Sequence, residues 1–302
     1  MLNQTYQDFE VIYLDDCSND NSRDIIEKYK NNKKVSKVII NSENSGSTFK
    51  QWNKGIKQAK GEYVWFAESD DYADNQFLEF MVPILEENPN VGIVKCRSYV
   101  VDQDNNILDI LEENYPRDWS KSFILNGKEE CLLNIKHGIS IVNASATLIR
   151  KSVYEAIGCA DTSFKMAGDW MTWCRMLDKS DFAYISEPLN YMRKVHSNTA
   201  RAKHLYSFTG TRELEDIKVV SFLIRSNAPS FWLERKILQK LVKRWVYYVF
   251  TLKGTHMSFK NNIMIFHELY KISPYILILL IKYILLRPVN AIVRRLFNLL
   301  NP

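Results

Sequence analysis

The sequence predicts an α/β protein with a mainly parallel sheet, followed by a basic helical region at its C-terminal end. Two observations indicate the sheet: apolar runs of strand length alternate with amphipathic helical stretches, and two of these runs end abruptly in paired aspartates. A third observation indicates the helical region. Residues 231–302 contain 12 Lys or Arg and 2 Asp or Glu, a net charge of +10. Because the whole chain carries +5, residues 1–230 carry −5.

The composition is that of a globular protein without a disulfide framework. Apolar residues make up 46% of the 302 residues, which is enough for the core of one large or two modest domains. The five cysteines are scattered and lack the spacing of a zinc site. Residues 1–10 are polar and lack the apolar segment of a signal peptide. These features favour a reducing, cytoplasmic location.

The first 100 residues alternate between strands and helices, an order that predicts a doubly wound sheet with right-handed crossovers. Apolar runs predict strands at 9–14, 35–40, 63–67 and 91–96, and the intervening stretches predict helices at 22–30, 48–60 and 75–87. Within the second helix, Phe49, Trp52, Ile56 and Ala59 form one apolar face. After a polar connection at 102–122, we expect helices at 127–136, 152–157 and from Gly168, and strands at 143–149 and 182–185.

An acidic cluster directly follows the third predicted strand. Glu68, Asp70 and Asp71 come at its carboxyl end, the edge where open α/β sheets bind ligands. Carboxylates at this spacing can share one Mg²⁺ or Mn²⁺, which in turn usually holds substrate phosphates. Asp15 and Asp16 end the first strand in the same way, so both pairs can face one nucleotide diphosphate. The alternative is an acidic turn that caps the next helix.

The motifs of residues 1–200 resemble those of family 2 glycosyltransferases, inverting enzymes of GT-A fold that serve bacterial polysaccharide synthesis. The resemblance rests on Asn3 to Asp20, Asn44-Ser45-Gly46, Asn53-Lys54-Gly55-Ile56 and Gly61 to Asp71, which occur in order and at the family's spacings. It implies a metal-dependent transfer of sugar from a nucleotide-sugar, expected to be a UDP-sugar, to a glycan or lipid-linked acceptor. We place the GT-A domain at residues 1–206 and the helical region at 207–302.

The resemblance also implies a donor site built from two loops. Asp16, with Asp15 beside it, would contact the nucleotide base, and Glu68 would bind the ribose or the sugar. The other residues of the predicted donor pocket are Ser18, Asn44, Gly46, Lys50 and Ser69.

The segment Glu68-Ser69-Asp70 corresponds to the family's metal-binding DxD element, with Glu in its first place. Asp70 is therefore the main predicted ligand of Mn²⁺ or Mg²⁺, and Asp71 and His196 are the others. Asp169 matches the position of the family's catalytic base, which takes the proton of the acceptor hydroxyl as that hydroxyl attacks C1. An alternative stays open for each of two residues. Asp169 would only stabilise the N-terminus of a helix, and His196 would be an ordinary histidine without a role in metal binding.

Two tryptophans follow the predicted base on the same helix. Trp170 and Trp173 are candidates for an apolar face that binds the acceptor sugar. The alternative is that both indoles belong to the core, as tryptophans on short helices more often do.

The chain starts later than the family's chains do. By the resemblance, a strand and part of a helix precede Asn3-Gln4-Thr5-Tyr6, so we expect about thirty more residues at the native N-terminus. The corresponding alternative function is an inactive remnant that binds a membrane or a partner. A nucleotidyl transferase is a further alternative, but the sequence lacks a Gly/Lys-rich phosphate loop.

The C-terminal region predicts association with the cytoplasmic face of an anionic membrane. Residues 272–286 are apolar but fewer than the roughly 20 that span a bilayer. Arg287, Arg294 and Arg295 alternate with apolar residues, a pattern typical of a helix that lies on anionic lipid. The alternative is a helical subdomain packed on the catalytic body. No recognisable nucleic-acid motif accompanies the positive charge.

Overall fold

The computed structural model describes residues 1–111, 116–194, 210–251 and 258–285. The chain divides into two compact units, Met1–His196 and Ser197–Pro302. The domain boundary predicted after residue 206 lies outside the described residues.

Strands and helices alternate through the first unit. In chain order its elements are β1 (Val11–Asp15), α1 (Ser22–Tyr29), β2 (Val35–Ile40), α2 (Thr48–Ile56), β3 (Tyr63–Trp65), β4 (Tyr72–Ala73), α3 (Phe77–Glu87), β5 (Val91–Val101), β6 (Ile107–Ile110), β7 (Phe123–Leu125), α4 (Gly127–His137), a 3₁₀ turn (Ala144–Ala146), β8 (Thr147–Arg150), α5 (Lys151–Ala156), α6 (Gly168–Leu177) and β9 (Asp181–Arg193).

The strands form two sheets of mixed direction, so the prediction of a mainly parallel sheet was wrong. β1 and β2 pair in parallel as a two-stranded sheet. The other seven strands form one sheet with the order β3-β8-β5-β9-β4, in which β6 pairs with β5 and β7 with β9. Among the described strands of this sheet, only β5 and β9 pair in parallel. The cause is β8, a late segment that inserts antiparallel between β3 and β5.

The core of the large sheet forms against α3. Phe77, Met81 and Leu85 recur at spacings of four, and each is 0% exposed. The indole of Trp65 stacks on the ring of Phe77 with 4.3 Å between centroids. Because burial of a large apolar side chain stabilises a fold by about 1.5–3 kcal/mol, this face of α3 holds the helix firmly to the sheet.

Several predicted elements differ in extent from the observed ones. The predicted strand at 143–149 divides into a 3₁₀ turn and β8, because the side chain of Asn143 caps the turn by accepting the N–H of Ser145 at 3.0 Å. The strand predicted at 182–185 extends over 13 residues as β9. Helix α2 ends at Ile56 rather than at residue 60.

The second unit is helical in its described residues. It contains α7 (Thr211–Asn227), α8 (Phe231–Thr251), α9 (Phe259–Ile272) and α10 (Ile276–Leu285). None of the helices in the described ranges is both long and apolar enough to cross a bilayer. Arg287, Arg294 and Arg295, on which the predicted membrane-surface helix depends, lie outside those ranges.

Candidate active site

Asp15 is buried at the end of β1 and holds the loop that follows. Its carboxylate accepts the backbone N–H of Ser18 at 3.1 Å and the Nε–H of Arg23 at 3.2 Å. Burial alone would raise the pKa of Asp15, but the hydrogen bonds from Ser18 and Arg23 outweigh it and hold the pKa below its usual value. Asp15 is therefore a permanent anion that fixes the backbone around Ser18.

Asp16 organises the second loop of the predicted donor pocket. Its carboxylate accepts the amide of Asn41 at 2.6 Å, the amide of Gln51 at 2.7 Å, and both the backbone N–H (2.9 Å) and the hydroxyl (2.8 Å) of Ser45. Burial opposes ionisation of Asp16, but these donors lower its pKa. The side chain is therefore engaged within the protein.

The rest of this loop presents polar groups to solvent. Asn44 is exposed and donates its amide to the backbone oxygen of Asp16 at 2.8 Å. Gly46 has a φ of 65°, which favours glycine. Lys50 is exposed, and its ammonium group donates to the backbone oxygen of Ser45 at 3.2 Å.

Glu68 is the centre of the acidic cluster. Its pKa is raised to about 7, chiefly by burial and also by the negative charges of Asp70, Asp71 and Asp169. A hydrogen bond from the indole of Trp52 partly offsets the shift. Because the charges of Asp70, Asp71 and Asp169 all affect the pKa of Glu68, we treat these four carboxylates as one electrostatic site.

Asp71 lies in the same cluster and is half-buried. One of its oxygens accepts the backbone N–H of Arg193 at 2.9 Å. Burial raises the pKa of Asp71, while hydrogen bonds from Arg193, Asn143 and Ser145 oppose the increase. Asp70 is exposed, and its backbone oxygen accepts the Nε–H of Arg193 at 3.0 Å.

Asp169 stands in the first turn of α6, as predicted for this segment. Its carboxylate accepts the backbone N–H of the next residue, Trp170, at 2.8 Å, whereas the N-cap position of α6 is Ala167 and carries no side-chain cap. Its effect on the pKa of Glu68 also places it in the acidic cluster. Asp169 is therefore a residue of the first turn of α6 whose charge acts on Glu68.

Helix α2 connects the three parts of the site. Gln51 donates to Asp16, and Trp52 donates to Glu68. Phe49 packs against Gly168 so closely that a Cβ on this glycine would meet three ring carbons at 2.4–2.8 Å. Helix α2 thus contacts the donor loop through Gln51, and the acidic cluster and the start of α6 through its buried face.

The carboxylates fit a divalent cation that is shared with a substrate. In the described parts of the chain, no group of three or more His, Cys, Asp or Glu side chains is arranged to hold a metal. A cation that also contacts phosphates needs only one or two carboxylates, and Asp70 with Asp71 can supply them. Burial and, after it, the neighbouring negative charges raise the pKa of Glu68, and a cation would offset those charges.

The structure places the other predicted site residues as follows. Trp170 and Trp173 are 5% and 1% exposed, so both indoles lie in the core, the alternative given for them above. Trp170 donates its indole N–H to Asn134 at 3.0 Å, and Trp173 packs near Trp52. Ser69 is exposed beside Glu68. His196 lies outside the described residues.

Several residues of the site were not predicted from the sequence. They are Asn41, Ser45, Gln51, Trp52, Asn143, Ser145 and Arg193. Gln51 and Trp52 were detectable, since they lie on a predicted helix next to the donor loop. Asn143, Ser145 and Arg193 reach the cluster only through pairing of distant strands.

Comparison with known proteins identifies the family. The sequence profile described as "Glycosyl transferase family 2" matches residues 1–158. Over 93 residues the chain is 42% identical to the poly(ribitol-phosphate) beta-N-acetylglucosaminyltransferase TarS of Staphylococcus aureus, an alignment that covers 30% of this chain and only 16% of TarS. An uncharacterised glycosyltransferase of Rickettsia typhi is 26% identical over 269 residues, which cover 88% of this chain and 73% of that protein.

A solved structure agrees with this similarity at the level of the fold. The crystal structure of residues 1–349 of S. aureus TarS in complex with UDP-GlcNAc matches with a TM-score of 0.60 and 19% identity, over 89% of this chain and 74% of that one. The observed fold is thus of the GT-A type, with a mixed sheet. On the family match and the fold together, the chain belongs to glycosyltransferase family 2.

Proposed function

We propose that this glycosyltransferase moves a sugar, with inversion, from a UDP-sugar to a cell-surface glycan or its lipid-linked precursor. The observation that carries the proposal is the shared electrostatic site of Glu68, Asp70, Asp71 and Asp169, which α2 joins to the donor loop around Asp16. The similarity to TarS, whose structure holds UDP-GlcNAc, supports a UDP-sugar donor. The name of TarS, a poly(ribitol-phosphate) beta-N-acetylglucosaminyltransferase, supports a polymeric acceptor.

In this proposal the two loops bind the donor. The Asp15 and Asp16 loop, with Ser18, lies against the nucleotide base, while Asn44, Gly46 and Lys50 line the diphosphate and sugar. Asp70 and Asp71, with His196, are the residues that would hold Mn²⁺ or Mg²⁺, and a cation bound there would offset the charge that develops on the leaving diphosphate. Glu68 and Ser69 contact the ribose or the sugar.

Asp169 is the proposed base. Its carboxylate takes the proton from the acceptor hydroxyl while the hydroxyl oxygen bonds to C1 and the C1–O bond to the diphosphate breaks. Attack from the face opposite the leaving group inverts C1. The products are the glycosylated acceptor and UDP, whereas a nucleotidyl transferase would release pyrophosphate.

Asp169→Asn tests the role of the base. We expect kcat to fall by about 10²–10⁴, the usual contribution of a general base, while Kd for UDP stays within about threefold. Asp178→Asn, just beyond the other end of α6, is the matched control and keeps kcat. Full activity of Asp169→Asn would exclude the role, and loss of UDP binding would recast Asp169 as structural.

We also propose that the enzyme works at the cytoplasmic face of an anionic membrane. The charge of +10 on residues 231–302 supports this location, because anionic lipid attracts basic segments. A membrane location also suits a lipid-linked acceptor.

A further inference from the structure

One face of α8 carries a regular row of exposed cationic and aromatic side chains. Its members, which we name the basic-aromatic stripe, are Trp232, Lys236, Lys240, Lys243, Tyr247 and Phe250. They recur at intervals of four, four, three, four and three residues, so they share one side of the helix. Trp232 is 80% exposed, Tyr247 57% and Phe250 49%. The stripe extends over about 27 Å of helix.

The opposite side of α8 is packed inside the second unit. Leu238 and Val242 are fully buried, and Leu241 and Trp245 are nearly so. The helix carries a single acidic residue, Glu234. The stripe is therefore the outer face of an anchored helix rather than part of its core.

An exposed aliphatic face lies on α10, in the same unit. Leu277, Ile278, Ile281 and Ile284 are between 42% and 59% exposed, while Ile276 and Leu279 on the inner side are fully buried. Exposed aliphatic residues grouped in this way mark an interaction site more often than scattered ones do. A soluble polyanion would leave this face in water, whereas a bilayer would cover it.

Helices α8 and α10 approach each other at their N-terminal ends. The guanidinium group of Arg235 lies 3.5 Å from the ring centre of Tyr275, the residue that precedes α10. Trp232, Lys236 and Tyr275 line one cleft at this point. The N-terminal end of the stripe, at Trp232 and Lys236, therefore lies beside the start of α10 within the second unit.

We propose that the basic-aromatic stripe and the aliphatic face of α10 together dock on an anionic phospholipid bilayer. The three lysines meet lipid phosphates, Trp232 and Tyr247 occupy the interface, and the aliphatic face enters the boundary of the acyl chains. In this proposal the described part of α10, ten residues or about 15 Å of helix, lies in the interface with its aliphatic face towards the acyl chains. The inference rests on the proposed membrane location, but it is independent of the transfer chemistry.

Vesicle binding by the full chain tests the electrostatic part of this surface. We expect the chain to sediment with phosphatidylcholine vesicles only when they contain phosphatidylglycerol, and to be released at high salt. The triple variant Lys236→Gln, Lys240→Gln, Lys243→Gln should bind on the order of 100-fold more weakly, since each cation near the surface contributes about fivefold. The charge-matched control with Lys28, Lys33 and Lys128 changed to Gln should keep binding within about tenfold, because these lysines lie outside the surface.

The apolar part is tested by a second variant and a spectroscopic signal. Ile278→Ser with Ile281→Ser should weaken vesicle binding, and both positions are exposed, so the fold tolerates the change. Brominated lipids should quench tryptophan fluorescence in the wild type, and Trp232→Phe should remove most of this quenching.

Three results would overturn the proposal. The first is that the control triple variant loses as much vesicle binding as the stripe triple variant does. The second is that the stripe lysines bind poly(ribitol phosphate) while the chain does not bind vesicles. The third is that the chain forms a dimer that buries Trp232 and does not bind vesicles. UDP binding is measured in every variant and should not change. If the chain binds vesicles but not UDP, only the transfer function is contradicted. If it binds UDP but not vesicles, only the docking surface is contradicted.

Discussion

At the scale of single residues, the site combines two kinds of carboxylate. Hydrogen bonds lower the pKa values of Asp15 and Asp16 despite burial, so both are anions that shape loops. Burial and neighbouring negative charge raise the pKa values of Glu68 and Asp71. Hydrogen-bond donors of the protein stabilise the negative charges of Asp15 and Asp16. The negative charges of Glu68 and Asp71 are less well stabilised, and a bound cation would stabilise them.

Glu68→Gln tests this difference through stability. The folded-state pKa of about 7 exceeds the usual 4.5, so the folded chain binds the proton more tightly than the unfolded chain does. Ionisation of Glu68 therefore destabilises the fold as pH rises from about 4.5 to 7. Measured by urea unfolding in EDTA, Glu68→Gln should be more stable than the wild type at pH 8 by about 1–3 kcal/mol, with a smaller difference at pH 5.

Glu129→Gln, at an exposed position of α4, serves as the control and should give no such change with pH. The same stability difference for Glu68→Gln at both pH values would show that Glu68 is not held in an unfavourable ionised state.

At the scale of elements, α2 is the piece that the sequence predicted best. The apolar face of Phe49, Trp52 and Ile56 is confirmed, since all three are buried. Ala59 falls beyond the end of the helix. The face was predictable because helix periodicity is a local property of the sequence, but its packing against Gly168 is not local.

Gly168→Ala tests the packing of α2 against α6. The added Cβ would lie 2.4–2.8 Å from the ring of Phe49, so one of the two helices must shift, at a cost of about 1–3 kcal/mol. Because Asp169 follows directly, we expect kcat to fall as well. Phe49→Leu should partly restore stability and activity in the double variant. A stable, fully active Gly168→Ala would contradict the close contact between these helices.

A buried ion pair anchors the segment that precedes β7. Glu130 on α4 is fully buried and accepts Arg117 at 2.9 Å, while the Arg117 guanidinium also lies over the rings of Trp119 and Phe123. One Glu130 oxygen has no hydrogen-bond partner in the described chain. The segment is therefore held by charge as much as by apolar contact.

Arg117→Met should destabilise the fold by about 3–5 kcal/mol, because it leaves Glu130 buried without its partner charge. The double variant Arg117→Met, Glu130→Met should be much less destabilised in urea unfolding. Equal losses in the single and double variants would mean that apolar packing of Arg117, and not its charge, holds the segment.

The acidic cluster shows where prediction from sequence ends. Glu68, Asp70 and Asp169 could be predicted because motif spacing and helix starts are recognised from contiguous residues of the sequence. Asn143, Ser145 and Arg193 contact Asp71 only because β8 and β9 take particular places in the sheet. The same insertion of β8 makes the sheet mixed, which local periodicity does not reveal.

At the scale of the whole molecule, the charge separates along the chain. Residues 1–230 carry the acidic site and a net −5, and residues 231–302 carry +10. The family profile ends at residue 158, so Asp169 lies beyond it, and its proposed role rests on the motif resemblance and on its place in the first turn of α6. The transfer function and the docking surface can therefore be tested separately.

Calorimetric titration of UDP into the full chain, with Mn²⁺ and then with EDTA, tests the central claim that the acidic cluster and the donor loop form a nucleotide-sugar site. We predict that Mn²⁺ tightens UDP binding at least tenfold in the wild type, equivalent to about 1.4 kcal/mol, and that Asp70→Ala removes this difference. Asp74→Ala, beyond the cluster on the same segment, is the control and should keep it. A folded wild type that binds no UDP, or an Mn²⁺ effect that survives in Asp70→Ala, would contradict the account.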